Sequence, residues 1–156
     1  MKHCIFCGIV AQTQKSHIIW ESENHIAFLS IFPNMKGVTV VIPKKHFSSY
    51  AFSLNDEELT QLVLAAKHVA VNILDKKLKG VGRTGLVLEG FGVDHVHAKL
   101  FPLPNTASYA KNWQQIQSNV DHYFHEYPGY ICTNDGPKAD DQELAKLAKR
   151  LSNNNY

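Results

Sequence analysis

Three groups of residues have types and spacings that could do chemistry. Between Gly90 and Pro102, His95, His97 and Lys99 alternate with Val96, Ala98 and Leu100. A strand sends successive side chains to opposite faces, so two imidazoles and an ammonium would share one face. Such a face can hold an anion, a metal, or both; the plainer alternative is the solvent side of an edge strand. A neutral His97 imidazole can attack phosphorus and form a covalent phosphoamidate. The Lys99 cation would disfavour imidazolium at His97 and could neutralise charge on phosphate oxygens. The second group is Cys4-x-x-Cys7. A redox pair would follow a strand, and no strand pattern precedes it. Two thiolates and two imidazoles suit tetrahedral zinc, and four protein ligands make such a site structural. His46 and His95 are candidates for the imidazoles, with His3 a rival. The third group is Gly90-Phe91-Gly92, whose glycines would let the backbone approach a ligand or would serve a tight hairpin.

The chain that must position these residues has 156 amino acids, enough for one domain with a buried core. Hydrophobic residues make up 44% and charged residues 19%, an ordinary globular balance. The net charge of +2 provides no basic stripe for nucleic acid. No apolar run reaches membrane-span length, and the start lacks a signal-peptide core, so a cytoplasmic protein with no membrane partner is expected. Three cysteines argue against a disulfide framework.

Ile18–Glu21 and His25–Leu29 read as a hairpin around Ser22-Glu23-Asn24. Val38–Ile42 is a β-branched run closed by Pro43, hence a central strand. Ser53 or Asn55 can cap a long helix whose apolar stripe is Leu59, Leu62, Val63, Ala66, Ala70, Ile73 and Leu74, with Gly80 placed to end it. His68 falls off that stripe and reads as solvated. Gly85–Glu89 is another strand, a hairpin neighbour of the histidine strand. Trp113, Ile116, Val120 and Phe124 suggest a second helix, Tyr130–Thr133 a short strand followed by a turn at 134–137, and Asp140–Leu151 a last helix with Leu144, Leu147 and Leu151 inward. The polar tail from Ser152 reads as frayed.

Together these motifs make the chain resemble the histidine-triad (HIT) family of nucleotidyl hydrolases and transferases. The resemblance covers about residues 4–103 and rests on CIFCGIV from Cys4, AFLSIFP from Ala27, GVTVVIPKKH from Gly37 and HVHAKL from His95. It implies an α+β fold, with an antiparallel sheet of about five strands and a long helix packed on it. Residues 105–156 then form a C-terminal helical extension of a single domain. It also implies a homodimer. His97 takes the place of the nucleophile that attacks the α-phosphate of a nucleoside phosphate, giving a hydrolase or a nucleotidyltransferase. Zinc falls to Cys4, Cys7, His46 and His95, which selects His46 over His3. Lys99 stands at the third triad position, as a catalytic and phosphate-contacting residue, where the family has His or, in the transferase branch, Gln. Phe28, Ser30, Gly90, Phe91 and Gly92 fall at substrate-binding positions. Ser30 replaces a common ribose-binding Asp, Phe91 a common Gln, and Gly92 a usual polar phosphate contact. Those replacements leave open a catalytically weak module that only binds nucleotides.

Overall fold

The computed structural model describes residues 4–133 and 136–152. It divides into two compact units, Met1–Gln114 and Gln115–Tyr156. His3, the rival ligand, and Asn134 and Asp135 of the expected turn lie outside the described residues, as do residues 153–156 of the tail.

The first unit is α+β. Its elements run α1 (Ile5–Val10), β1 (Ile18–Glu21), β2 (His25–Leu29), β3 (Thr39–Pro43), α2 (Asp56–Val69), α3 (Asp75–Lys77), β4 (Thr84–Val87), β5 (Ala98–Pro102) and α4 (Ala107–Lys111). The strands form one antiparallel sheet in the order β1-β2-β3-β5-β4. Asn55 is the cap of α2, its side chain accepting from the Glu58 backbone N–H. Ser53 instead closes a short 3₁₀ turn, Ala51–Ser53. A π-helical stretch, Ala70–Leu74, carries the helix on to Lys77, and Gly80 follows in a turn with φ +84°.

Alternation along the strands makes two apolar layers. Ala27, Val41, Ala98 and Leu100 join Val96 in the core under α2, against Leu62, Ala66, Val69 and Leu74. The intervening residues Ile26, Phe28, Val40 and Ile42 pack on the opposite face with Ile9, Phe6 and Val10 of α1. Val63 is exposed, so it lies off the stripe expected from spacing. His68 is exposed as expected, yet its ring lies 5.1 Å from that of Trp20.

The histidine stretch departs from the expected geometry. Regular strand begins only at Ala98, and residues 88–97 form an irregular connection rather than a tight hairpin. The ladder explains this. β5 pairs with β3 from Ala98 onward, while upstream the Val96 N–H turns to the Phe47 carbonyl of a different loop. β4 and β5 are still antiparallel neighbours. β5 sits between β3 and β4, so it is an inner strand.

In the second unit, α5 (Asp141–Ser152) forms as expected, with Asp140 Oδ1 accepting from the N–H groups of Gln142 and Glu143. Its Leu144, Leu147 and Leu151 are exposed rather than inward. The expected helix across Trp113–Phe124 is absent, as is the strand at Tyr130–Thr133. Asn, Ser, Asp and β-branched residues are poor helix formers, and so short a helix is marginal without a face to bury. Trp113, Ile116 and Val120 are indeed exposed. Among the described residues, no helix is long and apolar enough to cross a membrane.

Candidate functional site

The site forms where α1, the loop after β3 and the run into β5 meet on the α1 side of the sheet. Cys4 is the N-cap of α1 and Cys7 lies in its first turn, so one short helix sets both thiols. Pro43 ends β3 and the chain delivers His46 from the following loop. That loop is tied to the histidine run by two bonds: Val96 N–H donates to Phe47 O, and Ser49 N–H donates to Asp94 Oδ1.

Cys4, Cys7, His46 and His95 bring their ligand atoms within 4.8 Å of one another. Cys4 Sγ lies 3.5 Å from His95 Nδ1, and Cys7 Sγ lies 3.3 Å from His46 Nδ1 and 3.6 Å from His95 Nδ1. Zinc–sulfur and zinc–nitrogen bonds of about 2.3 and 2.05 Å at tetrahedral angles imply sulfur–nitrogen edges of about 3.6 Å. The four residues therefore could hold a metal ion, and their spacing fits that geometry. His95 donates from Nε2 to the Pro43 carbonyl at 2.9 Å, which leaves Nδ1 as its free lone pair. Burial, a hydrogen bond with Cys4 and the neighbouring Cys4 charge push the Cys7 thiol up. Cation binding must then displace a thiol proton. Burial likewise pushes His95 down, favouring the neutral imidazole that a metal requires.

His97 is 4% exposed, which excludes the solvent-face reading of this stretch. Its Nδ1 lies 2.8 Å from the His95 carbonyl. A carbonyl only accepts, so Nδ1 carries the proton and Nε2 keeps its lone pair in the neutral ring. Burial is the main cause that lowers its pKa; Lys99 adds to this in a lesser degree, and Glu89 opposes it. Lys99, expected from its spacing to be the cause, is thus secondary to burial. The Phe6 ring packs edge-on to His97 at 5.5 Å and to Phe28 at 5.4 Å, so Phe28 helps build the wall behind the histidine.

The remaining expected residues divide. Lys99 lies on the His97 side but is half-exposed and ion-paired, its Nζ 3.7 Å from Glu89 Oε1. Ser30 follows β2, its described contacts local: its N–H donates to Val38 O and its Oγ accepts from Phe32 N–H. Gly90 has φ +82°, and a Cβ there would come within 2.8 Å of Ser49 O, so only glycine lets the two loops pass. Gly92, φ +97°, lines an open cleft with Cys4, Cys7 and His46, a cleft that His97 does not line. Phe91 is exposed between them. Glu89 was missed from sequence. Its signal was a lone carboxylate closing the apolar run Leu86-Val87-Leu88, two residues beyond the position that pairs with Lys99.

The HIT domain family model matches residues 11–106. That span includes His46, His95, His97 and Lys99 and begins after the cysteine pair. A HIT-like protein of Mycoplasma pneumoniae is 36% identical over 136 residues, covering 76% of this chain and 93% of its own. The adenosine 5'-monophosphoramidase of Schizosaccharomyces pombe is 34% identical over 102 residues, covering 65% of this chain and 75% of its own. A crystal structure of a Streptococcus mutans protein superposes with a TM-score of 0.64 at 25% identity, covering 97% of this chain and 84% of that one. With the same α+β sheet underlying all of these features, the chain belongs to the HIT domain family.

Proposed function

We propose that this protein is a nucleotide-binding hydrolase or nucleotidyltransferase acting on a nucleoside phosphate through His97. The observation that carries this reading is the His97 Nδ1 bond to the His95 carbonyl inside a buried setting. It supports a neutral ring whose Nε2 lone pair is available for attack. In the proposed reaction Nε2 bonds to the α-phosphorus as the bond to the leaving group breaks, and the leaving group departs with that electron pair. Water or another acceptor then attacks the nucleotidyl-His97 intermediate and releases the imidazole. The activity of the fission-yeast relative supports nucleoside phosphoramidates as one candidate substrate class. Zinc at Cys4, Cys7, His46 and His95 is part of this reading; with four protein ligands it would brace the loops around His97 and take no part in the chemistry. A homodimer, in keeping with the family resemblance, is also part of it.

Intact mass spectrometry after mixing the protein with adenosine phosphoramidate, dinucleoside polyphosphates and sugar nucleotides tests the reading. A nucleotidyl adduct absent from His97→Ala supports it, and an adduct that persists in His97→Ala overturns it.

One observation favours a second reading, a nucleotide-binding module with little turnover. Lys99 stands where the family's third histidine would be, and its ammonium is already engaged by Glu89. Binding of nucleoside monophosphates without any adduct or turnover would select this reading.

A further inference from the structure

We propose that Glu89 sets the charge selectivity of the His97 site: its carboxylate holds the Lys99 ammonium, and the site thereby takes nucleotides of low charge in preference to polyphosphates. This rests on the reading that His97 faces a nucleoside phosphate.

The placement comes from the sheet. Val87, the last residue of β4, pairs with Lys99 of β5. Two residues further on, just past the end of β4, Glu89 brings its carboxylate to the Lys99 ammonium. The positive φ of Gly90 then turns the chain away. Glu89 Oε1 lies 3.7 Å from Lys99 Nζ, and the Glu89 side chain is only 15% exposed against 35% for Lys99. The carboxylate is thus the more enclosed member of the pair, and both charges act on His97 in opposite senses.

The charges around His97 then nearly cancel. Lys99 contributes one positive charge and Glu89 one negative. A divalent ion held by two thiolates and two neutral imidazoles adds none. Sites that clamp polyphosphates concentrate Arg, Lys or Mg²⁺ on the phosphate oxygens. Here an arriving phosphate meets an ammonium already shared with a carboxylate, and every further phosphate adds repulsion from Glu89 without a matching cation. An uncharged residue at position 89 would free Lys99 for the ligand.

The experiment measures dissociation constants of the full chain for adenosine, AMP, ADP and ATP at fixed ionic strength without magnesium. Wild type should bind ATP no more tightly than AMP. Glu89→Gln should leave adenosine affinity unchanged and tighten the others progressively, by roughly tenfold at ATP, the scale of relieving one like-charge contact. Glu89→Ala removes the same charge and should give the same progression, so either soluble variant decides; Glu89→Asp keeps the charge and should stay near wild type. An equal change for all four ligands, adenosine included, would mark a merely structural role and overturn the proposal. So would wild-type affinity that climbs with each added phosphate, which needs no variant. Binding with a flat response to Glu89→Gln overturns this inference alone, whereas failure of every ligand to bind overturns the nucleotide reading and this inference with it.

Discussion

The two units of this chain use similar apolar patterns with opposite results. In the first, Leu62 and Val69 of α2 are fully buried under the sheet. In the second, Leu144 and Leu147 of α5 recur at comparable helical spacing and are 51% and 41% exposed. The pattern is a statement about what a helix can bury, and burial itself depends on a receiving surface. The sheet supplies that surface to α2 on one face and to α1 on the other. The candidate chemistry follows the same division, since the four residues that could hold a metal, His97 and the Lys99–Glu89 pair all belong to the first unit.

The largest expected effect tests whether the chemistry is confined there. His97→Ala should lower turnover of a verified substrate by at least about 10³-fold, the scale of losing a nucleophile. Metal content should stay close to wild type and the fold should be kept, because Val96, Ala98 and Leu100 on the other face fix the backbone, with some loss of melting temperature from the space left beside Phe6. Single-turnover kinetics check this; a wild-type rate would remove His97 from the reaction.

The thiols give the next contrast. Cys4→Ser should strip most of the bound metal and lower the melting temperature, because metal-binding free energy is also folding free energy. Cys132→Ser, in the second unit, should change neither. Metal stoichiometry by atomic emission on freshly purified protein separates the two, and equal metal content in both variants would refute the tetrad.

Packing comes third. Leu62→Ala should cost about 2–5 kcal/mol, as for other buried leucines, while Leu147→Ala should fall within about 0.5 kcal/mol of wild type. Urea denaturation measures both. Equal losses would mean that α5 buries its stripe in solution, for example against a second copy.

The contrast also explains what could be read from sequence. β1 and β2 matched their expected bounds, and β3 is shifted by one residue, because alternating or β-branched runs flanked by turn residues leave little choice of register. The clustering of Cys4, Cys7, His46 and His95 was legible only in part, because Cys-x-x-Cys leaves two ligands to find and His46 was chosen over His3 by the family resemblance and not by spacing. Glu89 was not legible, since its meaning depends on which β5 residue Val87 pairs with, and that register is a tertiary fact. The start of β5 was misread for a related reason: residues 95–97 alternate as a strand does, yet their backbone bonds are made to a loop. From Trp113 onward the spacing of Trp113, Ile116 and Val120 suggested a helix, but periodicity does not reveal whether a receiving surface exists.

The smallest effect concerns a histidine outside the candidate chemistry. His25 begins β2, is 7% exposed, and pairs in register with Pro43. Burial lowers its pKa, so the folded chain prefers it neutral. The unfolded chain, with an ordinary histidine pKa of about 6.5, takes up a proton first as pH falls. Where the unfolded state binds more protons, stability rises with pH. His25 therefore contributes fully to stability above about pH 6.5, and that contribution is lost as pH falls from there towards the folded pKa, with a slope of at most about 1.4 kcal/mol per pH unit. His95 and His97 shift in the same direction, so wild type alone cannot isolate the term. The difference between wild type and His25→Asn can. Urea midpoints of the two proteins should run parallel above about pH 7 and converge as pH falls below about 6.5, because only wild type must protonate a buried ring at this position. Curves that stay parallel throughout would mean that His25 is solvated in both states, and the first unit would then be less tightly closed at the start of β2 than its burial implies.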